Sequence, residues 1–436
     1  MVKTKFHRCL FFPHILLVWI FLLFFTADSM ASVSYRNLIP EPVRVIEKEG
    51  APFVFNDQTR IICSGNHPEW KRIVDSLIPY LSEMAGRELS VGKMKKFVES
   101  NVIYFILEPQ VRKEGFRLKI TEDNLYIEAS DGAGAFYAVQ LLRELSLSAS
   151  NQQGECNQEV NGKKWELCFP PVELEDYPSM SYRGTMLDVS RHFFSVDQVK
   201  RYIDLLAFHR LNHFHWHLTD DQGWRIEIKK YPKLTEIGSK REKTLVDYYY
   251  VNYPQVFDGI EHGGYYTQEQ IKEVVAYAAS KYINVIPEIE MPGHALAALA
   301  AYPELSCDST QTYKVSPTWG VFEQVFCPSE TTFKFFEGVM DEVVELFPSE
   351  YIHIGGDEVP KDRWKECNAC QKAIREHGLK NTKLHTAEER LQRTFNEEIA
   401  VYLHGLGKRM IGWDEVLADD LNREVIVTVS YTHLTL

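Results

Sequence analysis

The sequence predicts an α/β chain: a small α+β module, then a (β/α)8 (TIM) barrel that is incomplete, with about six β/α units present. Three observations predict it. From residue 177 onward, strand-like and helix-like runs alternate strictly, polar residues gather where the strand-like runs end, and the runs before residue 177 follow no such order. With 436 residues, 45% of them apolar and 13% aromatic, the chain can fill two sizeable cores.

The amino terminus carries Lys3, Lys5, His7 and Arg8, then an apolar run from Cys9 to Phe25, then small residues through Ser32. This is the pattern of a secretory signal spanning 1–31 and removed near Ala31. Export to a periplasmic, extracellular or lysosome-like compartment is expected, with no stable membrane span after removal. The run is at the short edge of what crosses a bilayer, which leaves an uncleaved signal anchor as the alternative. The next part, 32–176, reads as the α+β module, with strands at 43–46, 53–55, 60–63, 102–107, 116–120 and 125–129 and helices at 70–84 and 134–145. Polar residues from Ser148 to Lys164, followed by Pro170, Pro171 and Pro178, read as a long loop or linker ending near Tyr177.

In 177–436 the strand and helix runs pair as 183–189 with 196–209, 212–218 with 267–281, 284–289 with 331–346 and 351–354 with 386–403; 409–413 is followed by a sixth strand at 424–429. An open doubly wound sheet is the competing arrangement, but it wants a glycine-rich phosphate turn after its first strand, and Gly-x-Gly-x-x-Gly is absent there. Six strands leave a barrel with raw edges, so a carboxy-terminal truncation is expected. The closing Ser430-Tyr431-Thr432-His433-Leu434-Thr435-Leu436 also looks unlike a planned terminus.

Composition narrows the chemistry. A net charge of −13 and the lack of a clustered Lys/Arg stripe argue against a nucleic-acid partner. Of eight cysteines, Cys9 leaves with the signal. Cys156/Cys168 and Cys307/Cys327 flank short loops and are candidate disulfides in an exported protein. Cys367-Asn368-Ala369-Cys370 has no second C-x-x-C and no nearby Cys/His pair to complete a zinc site, so a local disulfide or plain thiols are expected, with Cys63 left over.

The strand ends carry the candidate site. They supply Asp188, Arg191 and His192; His213, His215, His217, Asp220 and Asp221; Glu288, Glu290 and His294; Asp357 and Glu358; and Trp413, Asp414 and Glu415. Core packing does not explain such a set, because buried unpaired charge is costly. The most informative stretch is Tyr351-Ile352-His353-Ile354-Gly355-Gly356-Asp357-Glu358, an apolar strand running into two glycines and two adjacent carboxylates. Neighbouring carboxylates repel, so one can hold the other's proton near neutral pH and serve as general acid. Two glycines let the backbone bend and approach a ligand, so that consecutive residues reach the same side.

Five ordered motifs then resemble glycoside hydrolase family 20, the β-N-acetylhexosaminidases. They are Arg183-Gly184-Thr185-Met186-Leu187-Asp188 with Arg191-His192, His215-Trp216-His217 with Asp220-Asp221 and Trp224-Arg225, Pro287 to His294, His353 to Glu358, and Gly412-Trp413-Asp414-Glu415. The resemblance runs from about Ile39 to Val429 and includes the family's accessory α/β domain. It implies removal of terminal non-reducing β-linked N-acetylglucosamine or N-acetylgalactosamine from glycans, by a retaining, substrate-assisted route. The substrate's own acetamido oxygen would attack the anomeric carbon to form an oxazolinium ion. Glu358 would act as acid and then base, and Asp357 would orient the acetamido group. By the same match Arg191 and Asp220 would hold sugar hydroxyls, His294 would lie near Glu358 or the acetamido group, and Trp413 would wall the acetamido pocket. Asp188, His217 and Glu290 would support these groups; Glu290 stands where the family often has Asp.

No cofactor and no catalytic metal is expected. Two rivals remain. His213, His215 and His217 share one strand face, as in some zinc-dependent barrel hydrolases, but the later strands are expected to lack a matching carboxylate and histidine set. Alternatively, an incomplete barrel would leave an inactive or weakly carbohydrate-binding fragment.

Overall fold

The computed structural model describes residues 35–56, 58–64, 68–89, 91–92, 100–151, 159–160, 163–164, 167–248, 253–416 and 425–429. The expected signal at 1–31, Cys156 and the closing Ser430 to Leu436 lie outside them. The chain forms two compact units, 1–179 and 180–436. Among the described residues no helix is long and apolar enough to cross a membrane.

The first unit is a seven-stranded mixed sheet. Its strands are β1 (Arg44–Glu47), β2 (Arg60–Cys63), β3 (Val91–Gly92), β4 (Val102–Leu107), β5 (Phe116–Ile120), β6 (Asn124–Ala129) and β7 (Val172–Asp176), in the order β1-β7-β5-β6-β4-β2-β3. Helix α1 (Pro68–Ala85) packs on α2 (Gly132–Asn151), and α2 packs on β5 and β6. The alternation in Phe116-Arg117-Leu118-Lys119-Ile120 buries every second side chain, as a sheet covered on one face requires. β7 corrects the linker reading. Val172-Glu173-Leu174-Glu175-Asp176 follows two prolines yet alternates buried and half-buried, and it pairs antiparallel with both β1 and β5.

The second unit is built on six parallel strands in chain order: β8 (Gly184–Asp188), β9 (His213–His217), β10 (Asn284–Glu288), β11 (Tyr351–His353), β12 (Arg409–Trp413) and β13 (Ile426–Thr428). Six such strands with helical crossovers are the expected part of a (β/α)8 barrel. The crossover helices are α3 (Val196–Phe208), α4 (Gln268–Ala279), α6 (Glu330–Leu346) and α9 (Ala387–Gly405). Shorter α5 (Leu296–Ala301), α7 (Asp362–Glu366) and α8 (Asn368–Glu376) sit in the connections after β10 and β11. These short helices, together with the hairpins Thr219–Asp220/Gly223–Trp224 and Lys240–Arg241/His262–Gly263, were not foreseen.

Local chemistry sets where the helices start. Ser195 with Gln198, Thr267 with Gln270 and Thr386 with Glu389 each form a reciprocal capping box, satisfying backbone donors that a helix start would otherwise leave open. The strands sort their side chains by period two. In β9, Trp216 turns toward Tyr266 and Phe347, with ring centroids at 4.7 and 6.4 Å, and is fully buried. His213, His215 and His217 take the opposite face.

Candidate active site

Strand register assembles the site. Asp188 pairs with His217, His217 with Glu288 and Glu288 with His353, so the last residues of four neighbouring strands form one row at their carboxy-terminal ends. Glu288, fully buried, is the hub of this row. Its Oε2 lies 2.5 Å from His217 Nδ1 and 2.8 Å from His215 Nε2, while Oε1 lies 2.9 Å from His353 Nδ1 and accepts the Trp413 indole N–H at 2.9 Å.

Hydrogen bonds from His217 and the Trp413 indole, with the His215 and His353 rings at ion-pair distance, offset the cost of burying it. Burial alone would raise the Glu288 pKa, but His217, His353 and His215 hold it well below the ordinary range. His217 takes the complementary charge. Burial opposes its protonation, yet Glu288 and then Asp188 and Asp220 hold its pKa well above the ordinary histidine value. The ring is clamped between Glu288 and Asp220, with Nε2 3.0 Å from Asp220 Oδ2. This corrects the expectation that the later strands lack a matching carboxylate and histidine set: Glu288 and His353 supply one. The indole N–H of Trp413, which can only donate, occupies the same carboxylate, which makes the group a hydrogen-bonded hub.

Arg191 and Asp220 form the second cluster. The Arg191 guanidinium reaches Asp220 Oδ2 through Nη2 at 2.6 Å, Asp188 Oδ2 through Nη1 at 3.1 Å, and Gln222 Oε1 through Nε at 3.1 Å. Its side chain keeps 21% exposure, so one edge can still meet a ligand. Asp220 cannot. It is 1% exposed, and its oxygens are taken by Arg191, His217, His294 and the Asp221 amide. The expected sugar contact at Asp220 is thus replaced by a positioning role: it orients Arg191, His217 and His294.

His294 links that cluster to the carboxylate pair. Its Nδ1 lies 3.0 Å from Asp221 Oδ2 and 3.2 Å from Asp220 Oδ1, and its Nε2 lies 3.6 Å from Asp357 Oδ2 and 3.7 Å from Glu358 Oε2. The last two distances are too long for hydrogen bonds but close enough for electrostatic coupling. Burial disfavours the charged ring, and Asp220, then Asp221 and Asp357, outweigh it and raise the His294 pKa well above the usual value. Asp221, noted at its strand end but given no role from sequence, is what fixes this ring: its other oxygen accepts the Leu296 amide at 3.0 Å.

Asp357 and Glu358 leave β11 through a turn that only glycine permits. Gly355 and Gly356 have φ of +68° and +92°, and Glu358 itself sits at +48°. The close approach they allow is to protein. A Cβ on Gly355 would lie 1.7 Å from Glu290 Oε2, and one on Gly356 would lie 2.5 Å from Val416 Cγ1. The turn brings Asp357, Glu358 and His294 together, with one polar atom of each within 4.8 Å of the others. Glu358 is the more open carboxylate, with its side chain 42% exposed against 22% for Asp357, and it lines a cleft of about 650 Å³ with Lys361, Gln392, Asn396 and Glu415.

Glu290 completes the carboxylate set. It is 2% exposed, neither oxygen has a hydrogen-bond partner among the described residues, and burial, then the charges of Asp357 and Glu288, push its pKa well above the ordinary range. Of the carboxyls around the turn, the one that burial and neighbouring charge raise is thus Glu290, which sits against Gly355. Arg225, which belongs to the second motif, is structural. Fully buried, it donates to the carbonyls of Ser190, Ser239 and Gly264 at 2.7, 2.6 and 3.0 Å, tying together the loops around the site.

These charges predict a pH dependence of stability. His217 and His294 have raised folded pKa values, so their contribution is complete below the unfolded value of about 6.5 and is lost as pH rises through the folded values. Glu288 and Asp220 are depressed, so their contribution is complete above the unfolded values of about 4 to 4.5 and is lost progressively as pH falls from there toward their lower folded values. Tm should therefore decline on the acid side below about pH 4.5 and on the alkaline side above about pH 6.5. In a His217→Gln variant scanned by calorimetry, that alkaline decline should flatten; an unchanged slope would count against a charged His217.

Comparison with known proteins fits this arrangement. Residues 180–433 match the model of the glycosyl hydrolase family 20 catalytic domain, and 35–177 match that family's domain 2. A beta-hexosaminidase of Porphyromonas gingivalis is 42% identical over 88% of this chain and 46% of its own length; one of Vibrio furnissii is 37% identical over 73% and 49%. The chain thus spans about half the length of these curated relatives. Among solved structures, a β-N-acetylhexosaminidase from Bacteroides fragilis aligns with a TM-score of 0.70 at 33% identity, over 90% of this chain and 70% of that one. An exo-β-N-acetylglucosaminidase from Vibrio harveyi in complex with N-acetylglucosamine aligns with a TM-score of 0.74 at 31% identity, over 92% and 58%.

Proposed function

The chain belongs to glycosyl hydrolase family 20, and from that premise we propose that it acts as an exo-β-N-acetylhexosaminidase, releasing terminal β-linked N-acetylglucosamine or N-acetylgalactosamine with retention through an oxazolinium ion. One observation carries the reading: two consecutive carboxylates, Asp357 and Glu358, converge on His294 within 4.8 Å. Inverting glycosidases need carboxyls roughly 6.5–9.5 Å apart to admit a water between them, so inversion does not fit. Consecutive residues on one turn also cannot easily flank both faces of a glycosidic bond. A substrate that carries its own nucleophile removes that need.

In this reading Glu358, the open carboxylate at the cleft, protonates the leaving oxygen and then deprotonates the incoming water. Asp357 accepts the acetamido N–H and offsets the charge that develops on the oxazolinium ring. His294, held protonated by Asp220 and Asp221, couples to both and steadies their negative charge. Arg191 offers its exposed edge to sugar hydroxyls, and Trp413, anchored by Glu288, presents a ring face to the acetamido methyl group. Export, read from the amino-terminal segment, would bring the protein to extracytoplasmic glycans.

The test is a paired assay of the purified protein on an aryl β-N-acetylglucosaminide and the matching aryl β-glucoside. Strong preference for the acetamido substrate is expected. Equal cleavage of both would remove substrate assistance, and no binding or cleavage of either would favour the inactive-fragment alternative.

A further inference from the structure

Four cysteines that the proposed chemistry does not use meet behind the Glu358 loop. Cys307 Sγ lies 3.6 Å from Cys370 Sγ; Cys327 Sγ lies 3.7 Å from Cys370 and 4.0 Å from Cys367. All four sulfurs lie within 4.8 Å of one another. Each cysteine is free, which corrects the expected Cys307/Cys327 disulfide. Cys168 is disulfide-bonded, as expected of that residue, while its expected partner Cys156 lies outside the described residues.

Three physical states compete for such a cluster. Two disulfides would need sulfurs about 2.05 Å apart in two definite pairs. Here no pairing is singled out, because Cys370 stands almost equally near Cys307 and Cys327. Four packed thiols would be inert apolar contacts, but they would have no reason to close mutually around one centre. A tetrahedral zinc ion does supply that reason: with Zn–S near 2.3 Å its sulfurs stand about 3.8 Å apart. The Cys307–Cys370, Cys327–Cys370 and Cys327–Cys367 separations bracket that value.

We infer that Cys307, Cys327, Cys367 and Cys370 form a structural Zn²⁺ site that ties the connection after β10 to the connection after β11. On binding, four thiol protons pass to solvent for one Zn²⁺, leaving a four-thiolate centre of net charge −2. The surroundings suit that charge. Cys367 is the N-cap residue of the nine-residue α8 and makes no side-chain cap hydrogen bond, and Cys370 lies in its first turn, so the positive end of the helix dipole faces the thiolates. Arg363 borders the same small cavity as Cys307. Around the sulfurs, Val325, Trp364, Ile374 and Leu391 form an apolar shell that limits water access and exchange.

The position gives the ion a purpose. Val359, the residue after Glu358, packs against this same cluster, and the Trp364 indole donates to Phe326 carbonyl oxygen at 3.0 Å. A four-coordinate ion would lock the peptide carrying Glu358 to a loop that arrives from the neighbouring strand. It would be a positioning device, with no open coordination site for substrate.

Elemental analysis of the intact chain, purified without chelator, should find about one zinc per chain. X-ray absorption at the zinc edge should show four sulfur neighbours at about 2.3 Å. An organomercurial should release the zinc as the thiols are titrated, and Cys367→Ser/Cys370→Ser should lose the metal and lower Tm by several degrees. If that variant fails to fold, the absorption spectrum of the unsubstituted protein still decides. Two disulfides among the four cysteines, four freely reactive thiols in protein that takes up no added Zn²⁺, or zinc with nitrogen and oxygen neighbours would each overturn the assignment.

Discussion

Replacing Glu358 by Gln is expected to lower kcat/KM by about 10²- to 10⁴-fold on substrates whose leaving group needs a proton, with a much smaller loss on aryl substrates whose leaving group departs as a stable anion. The asymmetry follows from the site. Glu358 is the more exposed member of the carboxylate pair and lines an open cleft, so in the proposed reading it is the group that meets the departing oxygen. Gln preserves shape and the turn at φ +48° while removing the transferable proton. Acid catalysis should therefore fail while the internal nucleophile still works. The measurement is the dependence of log kcat/KM on leaving-group pKa, which should steepen in the variant. A parallel shift of the whole line would instead mean that the substitution had disturbed binding or positioning, and retention of most of the rate would contradict the assignment.

The sequence made the strands and their outward chemistry legible because both depend on short range. Period-two alternation put His213, His215 and His217 on one face, and glycine's freedom at positive φ marked the turn before Asp357. What the sequence could not show required register between strands. Glu288 became the hub only because parallel pairing sets it opposite His217 and His353. Glu290 became the raised carboxyl only because its side chain crosses to Gly355. Asp220 changed from sugar contact to clamp for a similar reason: chemistry alone makes it a good acceptor, and only burial shows its oxygens already taken. The four cysteines are the extreme case. Cys307 and Cys327 stand 63 and 40 residues from their partners in separate β/α connections, so inspection around Cys367 and Cys370 could not find them. β7 was missed differently, because two prolines and a polar stretch outweighed five residues of clear alternation.

Asp357→Asn should cost about 10²- to 10³-fold in kcat on N-acetyl substrates, and the affinity for a thiazoline mimic of the oxazolinium ion should fall in step. Asn can still accept a hydrogen bond from an acetamido N–H, so orientation is partly kept. The lost element is the negative charge facing the ring that becomes positive in the transition state. The neighbours make a second, independent readout available. After burial, the charge of Asp357 contributes most to the raised Glu290 pKa, and Asp357 is one of the groups that raise the His294 pKa. Removing it should lower the Glu290 pKa and lower that of His294, so proton NMR of the His294 ring should show titration at a lower pH than in the parent protein. A variant in which thiazoline binding is unchanged while kcat falls would mean that Asp357 acts on a step other than acetamido participation. Unchanged kcat together with unchanged His294 titration would mean that the carboxylate does not face the reacting group at all.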